Sequence, residues 1–133
     1  MNRWAEAYFK LAIKQLKASH VLYEQELLSQ SISSSYYVMF YLAKAILLEA
    51  EPDRKLSKHS SVLGAFGKDF GSQSGQLGML HHNLVNAQDS RVGADYDPFW
   101  IGETEEHAQL RLTHAQEFLA FAEQYFSPAE KGD

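Results

Sequence analysis

The segment from Ile32 to Ala50 carries apolar side chains at helical spacing along its whole length. A helix that is apolar around most of its circumference must be surrounded by other parts of the protein. Pro52 ends the pattern, because proline lacks a backbone N–H and clashes with the preceding helical turn. The segment therefore predicts a central, buried helix, with a stripe formed by Ile32, Tyr36, Met39, Phe40, Ala43, Ile46, Leu47 and Ala50.

The other long segments also repeat at the helical period, and none alternates as a strand would. We expect helices over about residues 3–28, 32–50, a short stretch after Ser57, 76–90 or beyond, and 104–126. Brief connections between them predict an all-α protein, an antiparallel four-helix bundle with an additional short helix. Residues 1–133 are expected to form a single domain with an ordered core over about 3–126.

Local signals mark the helix ends. Ser31 and Ser57 are predicted N-caps, since a serine hydroxyl can accept from the first free backbone N–H groups. Gly93 is expected to loosen the end of the fourth helix. Phe99-Trp100-Ile101 is expected to pack onto the bundle. Residues 71–75 are predicted to be a connector, and those after Ser127 to be frayed.

The chain has no cysteine, which excludes disulfides and thiolate zinc sites and is typical of a cytoplasmic protein. We expect neither a signal peptide nor a membrane-spanning segment. The net charge of −5 argues against nucleic-acid binding by the whole surface. However, residues 1–68 carry 9 Lys/Arg and 6 Asp/Glu, whereas residues 69–133 carry 3 and 11. A local basic patch and ordinary solvated helix faces both remain open.

Arg91 lies at the end of an apolar stripe that includes Leu77, Leu80 and Leu84. Its guanidinium is therefore expected on a packed face, where an unpaired charge is costly. An anion should answer it, supplied by Asp95, by a second subunit or by a ligand. The alternative is a purely structural ion pair within the helix.

Three stretches of the chain, Ser34 to Leu48, Lys58-His59-Ser60 and Arg91 to Tyr96, together resemble the HEPN family. The first resembles the aromatic-rich second helix of that family, the second resembles the start of its third helix, and the third is similar to an Arg-x-x-Ala-Asp-Tyr form of one branch. The resemblance covers about residues 3–125. It implies a homodimer, often paired with a minimal nucleotidyltransferase as toxin and antitoxin, that in many members cleaves RNA without a metal.

In those ribonucleases an Arg that binds phosphate is followed directly by a polar residue and, a few positions later, by a His that performs acid–base chemistry. Here Val92 replaces the polar residue, and Tyr96 stands where the His is expected. A tyrosine with a pKa of about 10 is a poor base at neutral pH. His59 would be the substitute base if the start of the third helix faces Arg91. Otherwise its role is a structural hydrogen bond.

The candidate catalytic residues are therefore Arg91, Tyr96, Asp95 and His59. Arg91, Tyr37 and Lys58 are candidates for binding RNA or a nucleotide, and Tyr96 could also accept a nucleotide from the partner enzyme. His107 and His114 share a helix face but lack a third ligand, so we expect no metal, and we expect no cofactor. An active ribonuclease and a non-catalytic protein-interaction module remain alternatives.

Overall fold

The computed structural model describes residues 1–71 and 75–127. The regular elements in those ranges are all helices, and no strand occurs there. The predicted all-α class is confirmed. The helices are α1 (Arg3–Glu24), α2 (Leu28–Ala50), α3 (His59–Phe66), α4 (Gln76–Tyr96) and α5 (Glu105–Phe126). A π-helical turn, Gly67–Gly71, follows α3 directly. The predicted connector residues 72–74 and the residues after Ser127 lie outside the described ranges.

Helix α2 is the centre of the bundle, as its apolar stripe predicts, and α1, α3, α4 and α5 all pack against it. Successive long helices run in opposite directions. At one end of the α1–α2 pair the Asn2 side chain donates to the carbonyl of Leu48, and at the other Ser19 bonds Ser31. The start of α5 returns to the end of α4, where His107 Nε2 lies 3.1 Å from the Ser90 hydroxyl.

By length and composition alone α2 could cross a membrane, since an 18-residue window within it has a mean hydropathy of 1.2. Of that window, 72% is buried against the rest of the protein. This burial is typical of the core helix of a bundle.

The predicted cap at Ser31 is wrong, because α2 begins three residues earlier, at Leu28. The chain leaves α1 after Glu24 and turns through Glu26, whose φ of 62° lies in the left-handed region. Ser31 is instead buried inside α2, and its hydroxyl donates to the backbone carbonyl of Ser19 at 2.9 Å. The Ser19 hydroxyl lies 2.6 Å from that of Ser35. These serines join α1 to α2 within the core.

The predicted cap at Ser57 is also wrong. Lys58 occupies the position before α3 with extended backbone, and its side chain makes no capping bond. Helix α5 begins directly after Thr104, close to the start that the sequence predicts. Thr104 caps it by accepting a hydrogen bond from the backbone N–H of His107 at 3.1 Å.

Helix α4 continues to Tyr96, so Gly93 does not end it. Gly93 instead makes room for the indole of Trp100: a Cβ at this position would lie 2.5 Å from Trp100 Nε1. Gly102 faces the same ring. The prediction that Phe99-Trp100-Ile101 packs down holds only for Trp100, because Phe99 and Ile101 are 87% and 94% exposed.

Candidate functional site

Arg91 lies on the packed face of α4, below the buried Leu84, and its side chain is only 9% exposed. Its Nε and Nη2 donate to Gln88 Oε1 at 3.3 and 3.1 Å, and Nη1 donates to Asp95 Oδ2 at 3.5 Å. These bonds use three of the five N–H groups of a guanidinium. The buried charge is therefore answered within its own helix, with donors left for an incoming anion.

Two tyrosines of α2 form the floor under this guanidinium. Its Cζ lies 5.4 Å from the ring centroid of Tyr36 and 5.8 Å from that of Tyr37. A cation at this distance from an aromatic face is attracted by the negative potential of the ring. Tyr36 is fully buried and Tyr37 is partly exposed, so the pair presents one solvent-facing ring beside Arg91.

His59, the first residue of α3, packs against the same two tyrosines. Its ring centroid lies 5.7 Å from that of Tyr36, 5.8 Å from that of Tyr37 and 4.4 Å from that of Phe40. Its Nδ1 is 2.7 Å from the Tyr36 hydroxyl. Three helices thus bring Arg91, Tyr36, Tyr37 and His59 together, and we call these four residues the Arg91 cluster.

Burial keeps two members of the cluster, His59 and Tyr36, uncharged. Burial, followed by the charges of Arg91 and Lys44, lowers the pKa of His59 below its usual 6.5. Burial also raises the pKa of Tyr36 above its usual 10, although the charge of Arg91 opposes part of that rise. At neutral pH the pair is therefore an uncharged imidazole and a protonated phenol. For His59, the largest cause of the lowered pKa is loss of solvation on burial.

The direction of the Tyr36–His59 bond decides what the imidazole can do. If Nδ1–H donates to the phenolic oxygen, Nε2 carries a free lone pair and can accept a proton. If the phenol donates to Nδ1, Nε2 carries the proton and acts as a donor. Both arrangements fit the 2.7 Å separation.

Of the residues predicted from the sequence, Arg91, Asp95, Tyr37 and His59 meet at this site. Tyr96 does not: it is 74% exposed at the end of α4. Five residues along an α-helix rotate a side chain by roughly 140° away from Arg91, whereas four bring it back to nearly the same face. Lys58 precedes His59 in the chain and is exposed, and its side chain makes no hydrogen bond or ring contact with the Arg91 cluster that would place it in the site.

The sequence interpretation misses Tyr36, Phe40 and Gln88 as parts of the site. Tyr36 and Phe40 are four residues apart on α2, which is the spacing that puts two rings on one helix face. Gln88 stands three residues before Arg91, a spacing at which side chains on a helix touch. Both signals are present in the sequence.

No group of three His, Asp or Glu side chains within residues 1–71 and 75–127 is placed to hold a metal ion. His107 has both ring nitrogens engaged. Its Nδ1 lies 2.9 Å from the carbonyl oxygen of Gly102, and its Nε2 accepts from Arg111 Nε at 3.2 Å. These bonds hold the start of α5 against the preceding loop.

Comparisons with known proteins agree with the helical architecture. The HEPN domain family model matches residues 5–125. A Methanocaldococcus jannaschii protein named "Putative toxin MJ0142" is 36% identical over 93% of this chain and 82% of its own length. A Gloeobacter violaceus protein, "UPF0332 protein glr0978", is 29% identical over 87% of this chain and 90% of its own length. A second Methanocaldococcus jannaschii protein, "Putative toxin MJ0605", is 29% identical over 86% of this chain and 82% of its own length.

Proposed function

This chain belongs to the HEPN family, and on that premise we propose that it is the toxin-like member of a toxin–antitoxin or defence pair. It would act as a homodimer whose axial cleft binds RNA or nucleotide phosphate through Arg91. The observation that carries the proposal is the buried guanidinium, held between Gln88 and Asp95 and backed by two tyrosine rings. A preorganised arginine with free donors suits a phosphate.

Binding of a short single-stranded RNA by the wild-type protein and by Arg91→Ala tests this function. We expect Arg91→Ala to weaken binding about tenfold or more, because a charge-assisted hydrogen bond is lost. Lys17→Ala is the matched control, since it removes an equal charge from an exposed position on α1. If both variants lose RNA affinity equally, Arg91 contributes only through its net charge. If neither variant loses affinity, the proposed site is wrong.

An exposed apolar surface at the end of α4 supports the dimer. Val92, Tyr96, Phe99 and Ile101 project from the end of α4 and the following loop, and each is at least 45% exposed. Exposed apolar side chains grouped in this way mark interaction sites in folded proteins. Packing of these side chains against their copies would place the two-fold axis at the end of α4, within two turns of Arg91 along the helix.

A second function, metal-independent RNA cleavage, is favoured by the contact between Tyr36 and His59. In the tautomer with Nδ1–H bonded to the phenol, His59 Nε2 can take the proton of a ribose 2′-hydroxyl. The 2′-oxygen then attacks the adjacent phosphorus, the bond to the 5′-oxygen breaks, and water protonates the leaving oxygen. Arg91 would stabilise the charge on the phosphoryl oxygens.

Incubation of RNA with the pure protein in EDTA tests this chemistry. We expect cleavage by the wild type that is lost in both Arg91→Ala and His59→Ala. Absence of cleavage above the background of these variants would remove the enzyme function and leave binding alone. RNA binding that Arg91→Ala abolishes would in turn exclude a module that interacts only with proteins.

The proposed partner is a nucleotidyltransferase, and Tyr96 is the proposed acceptor. Its phenol is exposed at the end of α4, where an enzyme could reach it. The phenolic oxygen would attack the α-phosphorus of a nucleoside triphosphate and release pyrophosphate. Mass spectrometry after incubation with a nucleotidyltransferase encoded beside this chain should show one added nucleotide, absent in Tyr96→Phe. Unmodified wild-type protein would contradict the acceptor role.

A further inference from the structure

A groove of about 360 Å³ opens between the start of α1, the end of α2 and the α2–α3 connection. Its size falls within the range of small-molecule sites, roughly 300–1,000 Å³. Trp4 and Tyr8 supply aromatic walls, Leu48 and Leu56 an apolar floor, and Lys44 and Lys55 positive charge. All the residues that line the groove come from the first half of the chain, which carries a positive net charge although the chain as a whole is acidic.

Lys44 gives the groove an available cation. Its Nζ lies 4.5 Å from the ring centroid of Tyr8 and 6.0 Å from that of Phe40, and no carboxylate of the described residues lies within ion-pair distance. Arg54, which also lines the groove, is already held by Asp69 at 2.9 Å and by Glu51 at 3.7 Å. Lys44 is therefore more available than Arg54 to an anion in the groove.

The lining of the groove contains three basic side chains, Lys44, Arg54 and Lys55, and no carboxylate. Two carboxylates close to it in sequence are engaged elsewhere. Glu49 accepts from the backbone N–H of Asn2 at 2.7 Å and lies 3.8 Å from the N-terminal ammonium, and Glu6 pairs with Lys10 at 3.0 Å. The positive lining favours an anionic ligand.

The aromatic walls select among anions. Trp4 is about half exposed, and the guanidinium of Arg3 lies 5.3 Å from its ring centroid. A planar base of any identity can stack on an exposed aromatic side chain, whereas an inorganic anion gains no stacking energy there. The ligand that matches the groove has a planar ring and an attached negative charge.

We propose that this groove binds a nucleobase together with its phosphate, with the base stacked on Trp4 and the phosphate on Lys44. The unit could be a free mononucleotide or one nucleotide of a single-stranded RNA. The RNA form rests on the RNA-binding function proposed above. Phe40 links the two sites, because its ring contacts both His59 of the Arg91 cluster and the ammonium of Lys44.

Tryptophan fluorescence can report on the groove directly. The chain has two tryptophans, and Trp100→Phe leaves Trp4 as the only one, which can be excited at wavelengths that tyrosine does not absorb. In that background we would titrate adenosine monophosphate, adenosine and a six-nucleotide single-stranded RNA. Saturable quenching by the monophosphate and not by adenosine is expected for a free-nucleotide site. Quenching by the RNA alone is expected for a subsite of a longer strand.

Substitution of Lys44 completes the test. Lys44→Ala should weaken the binding that quenches Trp4 about tenfold, since a charge-assisted contact is lost, and Lys44→Arg should restore most of it. Lys14→Ala on the exposed face of α1 is the control. No quenching by any of the three ligands, or equal affinity in Lys44→Ala and the parent, would overturn the groove proposal.

The two proposals fail separately. If Arg91→Ala abolishes RNA binding while Lys44→Ala has no effect, the groove proposal is wrong and the Arg91 site stands. If Lys44→Ala abolishes Trp4 quenching while Arg91→Ala leaves RNA affinity unchanged, the groove stands and the proposed function of Arg91 is wrong.

Discussion

The phenolic oxygen of Tyr36 lies 2.7 Å from Nδ1 of His59, and the planes of the two rings are within 22° of parallel. One partner comes from the central helix and the other from the start of the short helix α3. Since Tyr36 is fully buried, its hydroxyl fixes the position and orientation of the imidazole. The Arg91 cluster depends on this contact for its geometry.

Removal of that hydroxyl tests the contact. Tyr36→Phe should lower the free energy of unfolding by about 1 kcal/mol, because one hydrogen bond is lost and a buried nitrogen is left without its partner. Any RNA cleavage should fall by more than the loss of folded protein explains, since the imidazole loses its orientation. Urea denaturation measures the change in unfolding free energy. Tyr41→Phe is the control, because the Tyr41 hydroxyl does not bond His59, and equal losses of unfolding free energy in both variants would contradict a stabilising Tyr36–His59 bond.

The depressed pKa of His59 predicts a pH dependence of stability. A folded-state pKa below the unfolded value means that the unfolded chain binds more protons, so acid favours unfolding. The unfolding free energy should be fully retained above about pH 6.5 and should decrease as the pH falls from there towards the folded pKa. His59→Gln should flatten part of that decrease.

The remaining decrease should come from His114, whose pKa burial also lowers. Denaturation midpoints from about pH 4.5 to 7.5 for the wild type, His59→Gln and His114→Gln measure the two contributions. A profile for His59→Gln that coincides with the wild type would contradict the buried, neutral imidazole.

The two glycines at positions 93 and 64 give a matched pair. In Gly93→Ala the new methyl group would meet the Trp100 indole at 2.5 Å, so the ring must move. We expect a loss of about 1–3 kcal/mol and a red shift of tryptophan emission. At Gly64, within α3, no side chain beyond the adjacent residues lies within 4 Å of the position that a methyl group would take, so Gly64→Ala should stabilise by about 0.5–1 kcal/mol. Equal effects would refute the packing role of Gly93.

Light scattering tests the proposed dimer. The chain has a mass of 15.1 kDa, so the wild type should give about twice that mass at micromolar concentration. The double variant Phe99→Ser, Ile101→Ser should give the monomer mass with unchanged helical content, because both side chains are exposed in the isolated chain. A monomeric wild type would count against the dimer, and a dimeric double variant would place the interface elsewhere.

Much of this architecture could be predicted because burial imposes a period on the sequence. The central helix α2 and the start of α5 beside Thr104 follow from residues that act on their immediate neighbours. The cap predictions at Ser31 and Ser57 are wrong because a serine hydroxyl suits a cap, a turn or a buried bond equally well. Only the packing of α1 against α2 decides that Ser31 bonds Ser19.

The site shows the same division. The placement of Arg91 on a packed face could be predicted from one helix, and so could its pairing with Asp95 four residues later. The meeting of His59 with Tyr36 could not, since these residues are 23 positions apart and on different helices. The sequence leaves open whether His59 faces Arg91, and the tertiary structure places them against the same two tyrosine rings.

The seating of Trp100 between Gly93 and Gly102 has a thermodynamic consequence for whatever meets this end of the molecule. An anchored ring in the middle of a short loop forces the side chains before and after it outward. Phe99 and Ile101 are therefore displayed from a backbone that is already ordered. Association at this end would lose little conformational entropy, so even a small contact area could yield measurable affinity.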